Sequence, residues 1–127
     1  MTASKPTVLL VDDDPVMLAF LERTVGETYT VETRSDGQAA WDALQEGASA
    51  DLIVADLKMP GLDGFAFVEK LRANERTERT PLLILSGSEK SEDRIRCLRL
   101  GADDFVVKPF NPEELMARID NLFRRLG

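Results

Sequence analysis

Apolar residues fall along this chain in two alternating rhythms. Four short runs are continuously apolar, and each stops at a polar residue: two at aspartate, one at serine and one at lysine. Val8-Leu9-Leu10-Val11 runs into Asp12-Asp13-Asp14, Leu52-Ile53-Val54-Ala55 into Asp56, Leu82-Leu83-Ile84-Leu85 into Ser86, and Phe105-Val106-Val107 into Lys108-Pro109. Short apolar runs bounded by turn residues predict strands buried on both faces. A fifth strand is predicted over 29–33, which alternates from Tyr29 to Thr33.

The segments between these runs follow a helical period. A helix is predicted over 15–25, with Met17, Leu18, Leu21 and Val25 on its apolar stripe. Asp14 caps it, and Pro15 takes the first helical position, where a missing N–H costs nothing. Ser35 or Asp36 caps a second helix that runs through Leu44 and stops near Gly47. Pro60 and Gly61 make a turn of 57–63, a third helix follows over 65–73, and 74–80 is a polar loop. A fourth helix over 89–100 ends at Gly101. Asn111, Pro112 and Glu114 form the capped start of a fifth, which ends near Arg125.

Strands and helices in strict alternation predict an α/β fold: a three-layer sandwich around a doubly wound, five-stranded parallel sheet, with right-handed crossovers. Ligand sites in such sheets lie outside the carboxyl ends of the strands. Parallel pairing would therefore bring the carboxylates, the hydroxyl and the ammonium to one edge. No linker, repeat or low-complexity segment interrupts the pattern, so residues 1–127 read as a single domain.

Composition narrows the chemistry. The net charge is -7, and no stripe of Lys and Arg forms, which argues against binding nucleic acid or an anionic membrane. Histidine is absent, so histidine acid-base catalysis and histidine-ligated zinc are excluded. The lone Cys97 rules out an internal disulfide and suits a cytoplasmic setting. No apolar stretch approaches the ~20 residues that span a bilayer, and the N-terminus lacks an apolar signal core.

Asp12 and Asp13 open the loop after the first strand and Asp56 the loop after the third. Carboxylates gathered this closely repel one another unless a cation neutralises them or some are protonated. Magnesium takes hard oxygen ligands and is commonly held by one or two carboxylates plus a phosphate. Ser86 and Lys108 would then face phosphate oxygens left free by the metal. An aspartate can itself be the nucleophile in phosphoryl transfer, where positioning and charge neutralisation are nearly the whole of catalysis. The edge looks built to accept a phosphoryl group on Asp56.

The blocks Val11-Asp12-Asp13-Asp14, Asp56-Leu57-Lys58-Met59-Pro60-Gly61-Leu62-Asp63-Gly64, Leu85-Ser86-Gly87 and Val107-Lys108-Pro109-Phe110 resemble, in order and spacing, the signature blocks of two-component response-regulator receiver domains. The resemblance covers essentially the whole chain. It implies a flavodoxin-like sheet of strand order 2-1-3-4-5, as in the chemotaxis receivers. It also implies that Asp56 is the phosphoacceptor, loaded by a sensor histidine kinase or a histidine phosphotransfer protein. That would be how a chain without histidine joins such a relay. Magnesium (or Mn2+) would be held by Asp13 directly, by Asp12 largely through water, by Asp56 and by the backbone carbonyl of Lys58. Ser86 would move to bond the phosphoryl oxygen, Lys108 would pair with it, and Phe105 would rotate inward as the aromatic switch. The face of helix 4, strand 5 and helix 5 would then be read by a partner protein or effector domain, or by a second copy in a phosphorylation-dependent homodimer. Lys58 and Ser88 match the variable positions that tune the lifetime of the phosphoryl bond. The chain would be a phosphoacceptor switch and not an enzyme, either free-standing or the N-terminal part of a longer regulator.

Ser86 and Gly87 stand where threonine and alanine are more frequent, which implies a looser loop, and Phe105 lacks a phenolic hydroxyl. Blander readings exist for each part alone: Asp14 as only a cap, Asp56 as a turn residue, Lys108-Pro109 as an exposed loop and Phe105 as core. The coincidence of all four blocks outweighs them. Cys97, Trp41 and the methionines read as packing or incidental surface. Arg94, Arg96 and Arg99 among Glu89, Glu92 and Asp93 on helix 4 read as a solvated face rather than a twofold contact. A flavin or nucleotide module would place Gly, Ser and Thr after strand 1, where this chain has three acids that repel phosphate. An aspartyl phosphatase would place its nucleophile after strand 1 and carry a cap region for which there is no room. A receiver-like scaffold that is never phosphorylated is argued against by the intact acid pair, Asp56, Ser86 and Lys108.

Overall fold

The computed structural model describes residues 5–126. Strands β1 (Thr7–Val11), β2 (Thr30–Arg34), β3 (Leu52–Asp56), β4 (Leu82–Ser86) and β5 (Asp104–Val107) alternate with helices α1 (Pro15–Gly26), α2 (Gly37–Gln45), α3 (Gly64–Arg72), α4 (Ser91–Leu100) and α5 (Pro112–Leu126). The strands form one parallel sheet of order β2-β1-β3-β4-β5. This is the expected flavodoxin-like three-layer sandwich.

Strand side chains alternate between two apolar layers. Leu9, Val11, Ile53, Ala55, Leu82, Ile84 and Phe105 pack on one face with Leu44, Phe67, Leu71 and Cys97 from α2, α3 and α4. Val8, Leu10, Leu52, Val54, Leu83, Leu85 and Val106 pack on the other with Leu21, Val25, Leu115, Ile119 and Leu122 from α1 and α5. Burial on both faces explains why the sequence runs are continuously apolar. Trp41 and Met59 join the first layer, and Met17 and Met116 the second, so the packing reading of these residues and of Cys97 stands. Met1 lies outside the described residues. Among the described residues no helix is long and apolar enough to cross a membrane.

The caps follow the sequence closely. Asp14 accepts from the Val16 N–H with Pro15 in the first turn, Asp36 rather than Ser35 accepts from Ala39, and Asp63 accepts from Ala66. Asn111 accepts from the N–H groups of Glu113 and Glu114. Several boundaries move by a residue or two, α3 to Gly64–Arg72 among them, and two of the shifts have a visible cause. The second strand spans Thr30–Arg34, because the Tyr29 N–H still closes on the Val25 carbonyl at the end of α1. The fourth helix begins at Ser91 and not at Glu89: Lys90 is extended, and its N–H donates to the Ser88 hydroxyl at 3.3 Å.

Candidate functional site

The order of the sheet decides which strand ends meet. β1 and β3 are neighbours although α1, β2 and α2 separate them in sequence, and between them the winding reverses. Ligands of doubly wound sheets bind at such a switch point. Val11 pairs with Ala55, so the next residues, Asp12 and Asp56, stand side by side at the carboxyl edge. Asp56 is level with Leu85, and Ser86 is level with Val107. Ser86 therefore begins one residue farther along than Asp56, and Lys108 two, roughly 7 Å at the rise of a strand. The long lysine stem brings the charge back. Lys108 Nζ lies 3.0 Å from Asp12 Oδ2 and 3.3 Å from Asp56 Oδ2.

Asp12 is 1% exposed, and both its oxygens are engaged. Oδ1 accepts from the Asp14 N–H at 2.9 Å, and Oδ2 takes the lysine. Asp13 is exposed, and one oxygen from each of Asp12, Asp13 and Asp56 lies within 4.8 Å of the others. Three carboxylates against one ammonium leave a formal charge of -2. The donors are all hard oxygens, so the residues present fit a divalent cation such as Mg2+ or Mn2+.

Burial pushes the Asp56 carboxyl above the ordinary carboxylate value. Lys108 works against that shift and Asp12 adds to it, while the nearby Lys58 backbone acts to lower it. For Lys108, burial acts to lower the pKa. The bond to Asp12 and the charges of Asp56 and Asp12 outweigh it, so the ammonium sits above the ordinary lysine value. The two shifts agree physically. One ammonium is shared between two carboxylates, which secures its own charge without fully compensating the partly buried Asp56.

The turn after Asp56 is held closed by its far end. The Gly64 N–H donates to the Leu57 carbonyl at 2.7 Å, and a Cβ at Gly64 would lie 2.6 Å from Leu57 Cα. Lys58, exposed, sits on this turn beside buried Leu57 and Met59.

Ser86 is fully buried, and its hydroxyl accepts from the Ser88 N–H at 3.0 Å. By alternation it belongs to the layer of Leu82 and Ile84, under α4. Phe105 lies in the same layer with its ring already inside, 8% exposed. The lysine and the three aspartates thus converge, Ser86 stands one strand from Asp56, and Phe105 is a core residue behind them.

Two arrangements had no signal in the sequence. The Ser88 hydroxyl donates to Asp93 Oδ2 at 2.6 Å, joining the loop after β4 to the first turn of α4. At the opposite edge, Arg72 donates to the carbonyls of Gly101 and Thr80 and to Asp103. The two joined partners in the first case are both ordinary surface residue types, and the bonded residues in the second come from separate elements.

Comparison with known proteins agrees with this geometry. The family model of the response regulator receiver domain matches residues 8–120, and the chain belongs to that family. It is 42% identical over 123 residues to the response regulator GtcR of Aneurinibacillus migulanus, covering 94% of this chain and 48% of that protein. It is 43% identical over 125 residues to the transcriptional regulatory protein PrrA of Mycobacterium leprae, covering 98% and 52%. The chain thus spans about half the length of these curated relatives. Among solved structures, the chemotaxis protein CheY4 of Vibrio cholerae superposes with a TM-score of 0.87 at 33% identity, over 94% of this chain and 99% of that one. The receiver domain of the sensor histidine kinase PA1611 of Pseudomonas aeruginosa, solved with a magnesium ion coordinated in its active-site cleft, gives 0.82 at 33% identity, over 94% and 98%. The protein is a receiver domain of phosphorylation-based two-component signalling, in a family of phosphoacceptors that bind Mg2+ at an acidic pocket.

Proposed function

We propose that Asp56 accepts a phosphoryl group from a phosphohistidine carried by a sensor histidine kinase or a histidine phosphotransfer protein. An Asp56 carboxylate oxygen attacks phosphorus, and the new P–O bond forms as the P–N bond breaks. The imidazole leaves with the electron pair of that bond and takes a proton from solvent. The observation that carries this reading is the reach of Lys108, from the edge strand β5 to within 3.0 Å of Asp12 and 3.3 Å of Asp56.

Each remaining residue has a place in this reading. Lys108 holds the carboxylate before transfer and pairs with a phosphoryl oxygen after it. Ser86 turns its hydroxyl to another phosphoryl oxygen. Asp13, Asp56 and the Lys58 carbonyl, with Asp12 acting through water, would hold a divalent cation, which would supply neutralisation of the phosphoryl charge. Lys58 and Ser88 flank the acceptor and set how long the acyl phosphate survives. Phe105 is already inside the core, so it acts by packing against whichever arrangement the Ser86 loop and α4 adopt, with no hydrogen bond from its ring.

The chain is in this reading a phosphoacceptor switch that catalyses only its own phosphorylation and dephosphorylation. Its output passes through the face of α4, β5 and α5 to a cytoplasmic partner, an effector domain or a second copy of the chain. With a net charge of -7 the domain itself would not contact nucleic acid. Incubation with acetyl phosphate and Mg2+ tests the reading by intact mass. A gain of one phosphoryl group that disappears in Asp56→Asn supports it, and a wild-type protein that gains nothing overturns it.

A further inference from the structure

The hydroxyl of Ser86 does not wait free. It accepts from the Ser88 N–H at 3.0 Å, and the Ser88 side chain is held in turn: its hydroxyl donates to Asp93 Oδ2 at 2.6 Å and accepts from the Lys90 N–H at 3.3 Å. An O–H to carboxylate bond of that length is charge-assisted, about twice as strong as a neutral one. The connection matters because α4 otherwise starts loosely. Lys90 at its N-cap offers no side-chain cap, and Gly87, between the two serines, meets no atom within 4 Å that a Cβ would touch. The Ser88 and Asp93 side chains therefore supply the bond that ties the loop after β4 to the helix.

We propose that Asp93 is a positioning residue for phosphoryl transfer. Through Ser88 it fixes the loop that holds the Ser86 hydroxyl in its unphosphorylated place, and it restrains α4 at the same time. The inference rests on the reading of Asp56 as acceptor and Ser86 as the group that turns to it. For Ser86 to turn toward a phosphoryl oxygen, the loop that carries it and Ser88 shifts relative to α4. That movement strains or breaks the bond from Ser88 to Asp93, so the first turn of α4 is released by the same event. The latch stabilises the unloaded arrangement, and a protein without it lies closer to the loaded one.

The test measures loading of Asp56 by acetyl phosphate with saturating Mg2+, followed by intact mass. Asp93→Ala should load about three- to tenfold faster than wild type, the range expected where part of a hydrogen bond to a charged group is lost on the way to the transition state. Asp93→Asn keeps a side-chain oxygen to accept from Ser88 and should load within about twofold of wild type. It also removes the charge, which separates the hydrogen bond from general electrostatics. Ser88→Ala combined with Asp93→Ala should be no faster than Ser88→Ala alone, since both remove one link. Equal rates in Asp93→Ala and wild type, additive effects in the double variant, or an Asp93→Asn as fast as Asp93→Ala would overturn the latch. A wild-type protein that is not loaded at all would instead overturn the acceptor reading beneath it.

Discussion

Lys108 serves two carboxylates at once, and that sharing governs the behaviour of single residues at the site. Because burial raises the Asp56 pKa, the folded protein holds that proton more tightly than the unfolded chain. Stability from this group is then present in acid and is lost as pH rises from the ordinary carboxylate range through the raised value. In buffer without divalent cations, Asp56→Asn should remove this loss and raise the urea midpoint at neutral pH. A lower midpoint would mean that the pair with Lys108 outweighs the burial. Tyr29 gives an independent check, being the sole tyrosine. Burial, and then Asp120 as hydrogen-bond acceptor and neighbouring charge, raise its phenol to about 12. Ultraviolet titration should find that value, and Asp120→Asn should bring it down. Stability contributed by the neutral phenol should be intact below pH ~10 and fade as pH rises through the folded value. The aspartates and the lysine were legible in the sequence because each directly follows an apolar run. The sharing of one ammonium was not, since it depends on which strands are neighbours.

At the scale of elements, helix and strand limits were readable wherever a local cause sets them. Asp14, Asp36, Asp63 and Asn111 cap helices through bonds to residues two or three positions away, which a sequence displays directly. The start of α4 escaped because its first turn is tied through Ser88, which lies outside the helix. Arg72 escaped for a stronger reason. Its bonds reach residues 29 and 31 positions away, Gly101 and Asp103, and join the end of α3 to the loop before β5. Removing it strands the carbonyls of Gly101 and Thr80 and leaves Asp103 with one bond fewer. Arg72→Ala should therefore cost roughly 2–4 kcal/mol in chemical denaturation. Arg72→Lys should recover little of that, because an ammonium cannot reproduce a fork of donors. Two glycines beside the site should respond oppositely to alanine. At Gly64 a Cβ meets the Leu57 backbone at 2.6 Å, so Gly64→Ala should destabilise by about 1–3 kcal/mol and slow loading of Asp56. At Gly87 the space is open and φ is not positive, so Gly87→Ala should stabilise by about 0.4–1 kcal/mol.

For the molecule as a whole, alternation of runs was enough to read an α/β sandwich, because β1, β3, β4 and β5 are largely buried, β2 is a half-exposed edge strand, and each helix buries one face. The order of strands came from resemblance, since no spacing along a chain says which parallel strands pair. One global property follows from the site. A cation bound only by the folded state stabilises it in proportion to the logarithm of its concentration. Adding Mg2+ should raise the melting temperature, chelation should reverse the rise, and Asp13→Ala should abolish it while leaving the metal-free value nearly unchanged. Loss of the effect only in Asp12→Ala would move the direct ligand to the buried acid.

The grip of Lys108 has a consequence beyond the reaction itself. Its anchor is the outermost strand on one side of the sheet, next to the helix that leads away from it, yet its charge rests at the opposite side of the cleft. If Asp56 is the acceptor, a protein that bound that rim and shifted it would alter how favourably Asp56 takes a phosphoryl group. By reciprocity, a loaded Asp56 would change the affinity for that protein by the same factor as the protein changes the loading equilibrium. Listener and sender would then share one lever, and a tight-binding target would act as a primer for its own signal.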